Sequence, residues 1–407
     1  MINLLLALCP FLQDTVERFD PVVPENVHAI VEEGFFLVDE QIIESDNSLA
    51  DAYAYVDATL PPDRAVVLGI VGKAGHMGVG AAYSTWSPFL LKDKEGIIDV
   101  KVIGLSSDAE VGPLFLGEQY FPVKNAHFFN IGIRGQVDTF GVRQAGYAEN
   151  IVFDNFWVYE PEEVDPLFIY GSAIYLSKDW KNLTLKRYQP RGLVVREHCF
   201  YLKPGGRTQI LDCELWGGDR TGFQMRPHQA PTLTPYPHGD ILIDGNYADS
   251  FGWNHAVKDG GGWITVWTSL ENNVSIRNNT CINARYGCLV ISQGPPQSDP
   301  YLTVDDFSHS NIWITNNIFE NLNGDRNCVS IAATRKFYLG EYNQFISNKK
   351  PMTVNSDWSF KYTDALPVKE WFIDGRKAFP KWLTYEYNYA TEQYDLLSID
   401  DLKEKLL

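Results

Sequence analysis

The chain has 407 residues, of which 45% are hydrophobic and 14% aromatic, so it can bury a large core in one β-domain or two ordinary domains. Its formal net charge is −18, and neither the chain nor one arm is strongly basic, so nucleic acid is not an expected partner. Residues 1–60 carry 12 acidic residues and one arginine (net −11), whereas residues 181–228 carry nine basic and four acidic residues (net +5). The basic segment is compatible with an anionic ligand and equally with ordinary solvated surface.

Residues 2–12 form an apolar run of the length found in signal peptides, without a basic leader or a small-x-small cleavage site. We expect export, with a short apolar strand or cap as the alternative. No other segment is long enough to span a membrane. The six cysteines include no C-x-x-C pair, so a zinc ribbon or a thioredoxin-like site has no support, and we expect them to act mostly as small core residues.

Capping elements are predicted at both ends of the chain. Ser48 is a candidate N-cap of a helix that runs to Ala58 and stops before two prolines, and a strand is expected from Ala65 to Val71. A short helix is predicted from Ser398 to Leu407. The glycine-rich stretch that follows the strand, residues 72–80, reads G-x-x-G-x-G and precedes no helical pattern, which favours a loop over a nucleotide site.

Short strands with alternating apolar residues recur from residue 100 onward, two or more in each repeat and with no helix between them. The first strands of the repeats are Val100–Ile103, Ile151–Phe153, Leu183–Leu185, Ile210–Leu215, Ile241–Ile243, Val274–Ile276 and Ile312–Ile314. The second strands are Ala173–Leu176, Leu193–Val195, Phe223–Met225, Ile264–Val266, Leu289–Ile291 and Val329–Ile331. This pattern indicates a β-solenoid rather than β-α-β units.

Asparagines support the same interpretation. The pairs Asn278-Asn279 and Asn316-Asn317 follow equivalent strands, and Asn246 occupies the position of Asn279. Asparagine tolerates left-handed backbone and can form hydrogen-bonded ladders between coils. These segments resemble the parallel β-helix repeats of the pectate-lyase-like superfamily over residues 100–345.

The resemblance implies an all-β fold, a right-handed parallel β-helix with an N-terminal helical cap and a short C-terminal cap. We divide the chain into a signal-like segment at residues 1–13, an acidic segment and cap at 14–64, the β-helix at 65–350, and a C-terminal coil and cap at 351–407.

Alignment of the second strands predicts which side chains share the outer face. With Leu193 and Val195 placed beside Phe223 and Met225, Arg196 lies next to Arg226 and His198 next to His228. Paired guanidinium groups need a negative partner, and histidine titrates near neutrality, so this face is a candidate site. The alternative is an ordinary surface with arginine stems packed flat.

Each candidate residue has a proposed role in the site. The catalytic candidates are Arg196, His198, Arg226, His228, Asp219 and Asp259. The substrate-binding candidates are Arg220, Gln224, His255, Lys258, Trp263 and Trp267, with the tryptophans suited to sugar stacking.

These residues predict a protein that binds and cleaves a polysaccharide, with an anionic one favoured. Hydrolysis would need two flanking carboxyl groups, whereas elimination would need cationic neutralisation and a base, which the arginines and histidines fit better. The alternative is a non-catalytic adhesin, phage-tail component or surface protein. No cofactor is predicted: calcium has no carboxylate motif to support it, and zinc at His198 and His228 lacks a third ligand.

Overall fold

The computed structural model describes most of the repeat region and part of each end. The described residues are 26–46, 48–61, 64–74, 99–112, 114–116, 123–134, 140–144, 148–159, 172–176, 180–189, 198–202, 207–216, 221–225, 240–249, 263–267, 273–284, 287–292, 311–322, 328–332, 336–339, 343–347, 352–355, 383–388 and 393–397.

Three sheets form the sides of the solenoid. The coil strands of sheet 1 pair in parallel, each with the equivalent strand of the next coil: Val66–Ile70, Val100–Gly104, Val123–Arg134, Ala148–Tyr159, Trp180–Lys186, Thr208–Leu211, Ile241–Asp244, Asn273–Arg277, Asn311–Thr315 and Lys336–Leu339. The short strands Lys73–Ala74 and Glu110–Val111 extend sheet 1 along the far half of Val123–Arg134.

Sheets 2 and 3 are also parallel throughout their described strands. Sheet 2 comprises Leu114–Leu116, Phe140–Gln144, Ser172–Leu176, His198–Leu202, Thr221–Met225, Ile264–Trp267, Leu289–Ser292, Val329–Ala332 and Met352–Asn355. Sheet 3 comprises Glu214–Trp216, Tyr247–Asp249, Thr280–Ile282, Ile318–Asn321 and Gln344–Ser347. The chain visits sheets 1, 3 and 2 in turn, so the fold is a right-handed parallel β-helix, as expected from the sequence.

Both described ends close the solenoid with antiparallel strands. At the N-terminal end, Ala29–Glu32, Phe35–Val38 and Gln41–Glu44 form a meander beside the helix Ser48–Thr59, which confirms the predicted helix. At the other end, Leu383–Asn388 and Gln393–Leu397 form a hairpin on the last coil strand of sheet 1. The sequence predicted neither the meander nor the hairpin, and the predicted helix at 398–407 lies outside the described residues.

The corner between sheets 1 and 3 explains the recurring asparagines. In seven consecutive coils one residue has a positive φ there: Asn130, Asn155, Arg187, Asp212, Gly245, Asn278 and Asn316. Asparagine and glycine adopt this left-handed conformation at the lowest cost, which accounts for their recurrence. The predicted strand Ile210–Leu215 is divided by this corner, because Asp212 turns the chain from sheet 1 into sheet 3.

A buried asparagine ladder follows the corner. In this ladder, Asn246, Asn279, Asn317 and Asn343 occupy one internal position of successive coils, and each Nδ2 donates to the Oδ1 of the next, at 2.9, 3.0 and 3.0 Å. The same Nδ2 atoms also reach backbone carbonyls; that of Asn279, for example, lies 2.9 Å from the oxygen of Ile243. The ladder therefore satisfies polar groups that the apolar core would otherwise leave without partners.

Aromatic rings fill much of the remaining interior. Phe200 and Phe223 lie on adjacent coils with ring centroids 5.2 Å apart and planes within 14° of parallel. Trp263 continues this column, 5.5 Å from Phe223 and 6.4 Å from Phe319. The stacked rings keep sheet 2 in register with its neighbours, because a shift by one residue would move every ring to the outer face.

Candidate functional site

The outer face of sheet 1 is closed along its middle coils. Thr184, Gln209, Leu242 and Ser275 point away from the core in the strand alternation, yet each is fully buried. These side chains offer no exposed surface, whereas Tyr175 and Tyr201 on sheet 2 are partly exposed, which directs attention to sheet 2.

Tyrosines occupy the outer face of sheet 2. Tyr175 and Tyr201 pair in register on adjacent coils, and their rings lie 5.1 Å apart with planes within 4° of parallel. Each alternates with side chains that enter the core, such as Phe200 and Leu202 beside Tyr201. Because the two rings cover each other, the pair presents ring edges and phenol groups rather than two open faces.

Two sequence-predicted residues lie beside this pair. The ring of His198 lies 5.2 Å from that of Tyr201 at an angle of 27°, and Gln224 pairs in register with Tyr201 on the next coil. His198 and Gln224 are each only 8% exposed. We call Tyr175, His198, Tyr201 and Gln224 the tyrosine platform.

The amide of Gln224 has an unusual environment. Its Oε1 is buried and has no hydrogen-bond partner. A buried acceptor without a partner costs about 1–3 kcal/mol, so such atoms in folded proteins commonly await a ligand or a water molecule. A hydrogen bond donated by a ligand to the Oε1 of Gln224 would therefore contribute more binding free energy than one to an acceptor that already has a partner.

The predicted pairing of histidines is wrong. His198 pairs with Thr221 rather than with His228, and Phe200 pairs with Phe223. The strand beside Thr221–Met225 is His198–Leu202, so the sequence alignment was shifted by seven residues. The physical reason is that Phe200 and Leu202 fill the core next to Phe223 and Met225. The sequence at 193–195 has the same alternation of apolar residues, so the pattern alone could not distinguish the two segments.

Trp263 was predicted to face a sugar, and this assignment is also wrong. Its side chain is fully buried in the aromatic column, and it packs directly against the backbone of Gly222. Trp267 is placed at the end of a sheet 2 strand, in register with Ser292. The other predicted site residues, namely Arg196, Asp219, Arg220, Arg226, His228, His255, Lys258 and Asp259, lie outside the described residues.

The sequence interpretation missed Tyr175 and Tyr201. Tyr175 could have been found, because it alternates with Ile174 and Leu176 in a strand that was predicted. Tyr201 could not, because its strand was not recognised.

The outward row carries no acid in the described part of sheet 2. Its positions in successive coils are Phe115, Arg143, Tyr175, Tyr201, Gln224, Thr265, Val290, Ser330 and Thr353. Among the described residues, no group of three or more histidine, cysteine, aspartate or glutamate side chains could hold a metal ion. The chemistry available on the tyrosine platform is thus that of two phenols, an imidazole and an amide.

His127 lies on the outer face of sheet 1, away from the platform. Burial, reinforced by the nearby Lys101 and opposed by Asp99, lowers the pKa of His127 to about 4. Because the unfolded chain binds a proton near pH 6.5 and the folded chain does not, the stability that is full above pH 6.5 falls as the pH drops towards 4.

We expect the free energy of unfolding to decrease by about 2 kcal/mol between pH 7 and pH 5 through His127 alone. Urea unfolding at both pH values should show this decrease, and His127→Phe should remove it. His28 also has a lowered pKa, chiefly through burial, so a smaller decrease of the same sign should persist in the variant. An identical decrease in His127→Phe and in the original chain would contradict the assignment.

These features define the protein as a right-handed parallel β-helix with an aromatic and polar platform on one side. No protein-family model matches the chain. No curated protein matches its sequence. Among the described residues, no helix is long and apolar enough to cross a membrane.

Solved β-helix structures are similar to this chain at low identity. They include a pectate lyase from a Bacillus species in complex with trigalacturonate, at 13% identity over 68% of this chain and 69% of that one, with a TM-score of 0.35. A surface adhesin of Streptococcus pneumoniae matches at 10% identity over 87% and 96%, with a TM-score of 0.46. The catalytic domain of an α-1,3-glucanase of glycoside hydrolase family 87, in complex with nigerose, matches at 12% over 72% and 50%, with a TM-score of 0.32. At this distance the function has to be argued from the chain's own residues.

Proposed function

We propose that the protein binds a polysaccharide along the outer face of sheet 2, centred on the tyrosine platform. The observation that carries this proposal is the buried Oε1 of Gln224, which has no hydrogen-bond partner and lies one coil from the stacked Tyr201. A sugar hydroxyl is a suitable donor for it, and the phenol groups supply further hydrogen-bonding partners.

The spacing of the platform supports a polymer rather than a small molecule. Neighbouring parallel strands lie about 4.8 Å apart, so Tyr175, Tyr201 and Gln224 repeat along the helix axis at that interval. A ligand with hydroxyl groups on every unit can contact successive coils in the same way. Export of the chain, expected from residues 2–12, belongs to the same proposal and would give access to such a polymer.

For the reaction, we favour elimination over hydrolysis. Hydrolysis requires two carboxyl groups flanking the bond, and the described outward row of sheet 2 offers none. In an elimination, His198 would remove the proton beside the carboxylate of a uronic acid, while a cation, with Arg196 and Arg226 as the sequence-predicted candidates, would neutralise that carboxylate. The glycosidic oxygen on the next carbon then leaves as the double bond forms.

Binding can be tested by titrating the protein with a panel of acidic and neutral polysaccharides in a calorimeter. We expect Tyr201→Ala to weaken the affinity at least tenfold, which corresponds to about 1.4 kcal/mol. Tyr55→Ala, which removes an exposed tyrosine from the N-terminal helix, is the matched control and should bind like the original chain. Absence of binding to every polysaccharide, or equal binding by Tyr201→Ala, would contradict the proposal.

The reaction can be separated from binding by its products. Elimination yields unsaturated uronates that absorb ultraviolet light, whereas hydrolysis yields reducing ends without this absorbance. We expect the unsaturated product, and its loss in His198→Gln with polysaccharide binding retained. Binding without either product would favour a non-catalytic adhesin or scaffold. Such a protein needs no catalytic acids on the described outward row.

A further inference from the structure

Three buried cysteines lie together in the core of the solenoid. Cys281, Cys288 and Cys328 are free thiols with no exposed surface. Cys288 and Cys328 hold the same position in consecutive coils, since Leu289 pairs with Val329 and the amide of Cys288 donates to the carbonyl of Cys328 at 2.8 Å.

The three thiols are clustered around Cys288. The thiols of Cys281 and Cys328 both lie near enough to Cys288 to affect its pKa. Its Sγ also lies 3.6 Å from the carbonyl oxygens of Cys281 and Glu320, while the Sγ of Cys328 lies 3.0 Å from that of Phe319. Two of the thiols therefore belong to adjacent coils and point into the same small space.

We infer that Cys288 and Cys328 form a disulfide bond between adjacent coils when the chain folds in an oxidising compartment. The Cα atoms of neighbouring parallel strands lie about 4.8 Å apart, which is within the range of about 4.4–6.8 Å that disulfides span. The oxidant is a disulfide such as oxidised glutathione. One cysteine thiolate attacks it and releases a first reduced glutathione; the second cysteine then attacks the mixed disulfide and releases another.

The bond has to form before the core closes. Burial raises the pKa of Cys288 and of Cys328 well above the usual value, so in the folded chain both remain protonated and out of reach of a soluble oxidant. Once formed, the bond joins positions 288 and 328 and restricts the unfolded chain. We expect it to raise the midpoint of thermal unfolding by about 5 °C.

Peptide mapping can test the inference directly, because trypsin separates the three cysteines. Cleavage after Arg277, Arg285, Arg326 and Arg335 gives the peptides 278–285, 286–326 and 327–335, each with one cysteine. In the full chain produced in a bacterial periplasm and digested without reductant, we expect the second and third peptides to be linked. The intact mass should be lower than that of the reduced chain by two hydrogens.

Two variants and one exposure experiment provide the controls. Cys328→Ala should lose the linked peptides, whereas Cys199→Ala, which removes a buried cysteine outside the cluster, should keep them. Reduced folded chain should resist oxidised glutathione, and the same chain refolded in its presence should gain the bond. The inference is overturned if all three cysteines of the periplasmic chain are alkylated as free thiols, or if Cys288 is linked to another cysteine. The map of the original chain decides this even if a variant does not fold.

Discussion

Replacing Asn279 by leucine is expected to lower the free energy of unfolding by about 4 kcal/mol. Asn279 is fully buried in the middle of the asparagine ladder. Its Oδ1 accepts from both the backbone N and the Nδ2 of Asn246, at 3.1 and 2.9 Å, and its Nδ2 donates to Asn317 and Ile243. Leucine has a similar volume but leaves these donors and acceptors without partners in an apolar core.

The matched control for Asn279 is an asparagine one coil further on. Asn316 is exposed, has a φ of 51°, and donates to Asn278 at 2.7 Å. Asn316→Gly keeps the left-handed backbone available and should change the stability by about 1 kcal/mol or less. Urea unfolding followed by circular dichroism compares the two variants. Equal losses in the two variants would contradict the assignment of the larger effect to the buried hydrogen bonds of Asn279.

The described repeats could be predicted because each coil repeats the same physical requirement. Alternating apolar residues specify strands, and the asparagines at 246, 279 and 317 specify how the coils stack. The structure confirms this register, since the three side chains bond to one another in that order. The asparagine ladder thus specifies the register of the coils better than the apolar pattern does. Its hydrogen bonds require an asparagine at the same position of the next coil, whereas an apolar side chain can pack against any other apolar side chain.

The candidate site was predictable only in part for the same reason. Between residues 190 and 202 two segments alternate in the same way, and only the core contacts of Phe200 decide that His198–Leu202 is the strand. The error moved His198 away from its true neighbour and hid Tyr201. Gln224 was identified because its own strand was assigned correctly, but its buried acceptor depends on packing that no pattern in the sequence reveals.

The apolar pattern also did not reveal that Trp263 is buried against Gly222, and this contact predicts a second large change in stability. The pairing of Phe223 with Ile264 places Gly222 opposite Trp263, and the indole lies where a side chain on residue 222 would be. A Cβ atom on Gly222 would lie 2.3 Å from Cδ1 and 2.6 Å from Nε1 of that ring. The absence of a side chain at Gly222 is therefore what admits a tryptophan to the core.

Gly222→Ala is accordingly expected to lower the free energy of unfolding by about 3 kcal/mol, because the buried ring has to move. Gly34→Ala is the control: that glycine has a φ of 80° but no atom within 4 Å of the added Cβ, so only backbone strain of about 1 kcal/mol is expected. Urea unfolding gives both values. A loss at Gly222 no larger than at Gly34 would contradict the steric argument.

The cause can be assigned to the indole by a double-mutant cycle. Trp263→Ala removes the indole ring that meets the new Cβ, at the cost of a cavity worth about 4 kcal/mol. If the clash with this ring is the reason, Gly222→Ala should cost at least about 1 kcal/mol less in the Trp263→Ala background than in the original chain. Additive losses would instead place the strain in the backbone of sheet 2. A Cβ atom on Gly222 would also lie 3.0 Å from the backbone carbonyl oxygen of Trp263. The cycle therefore shows whether glycine is needed at position 222 to make room for the indole ring or to fit the backbone of the strand that positions Gln224.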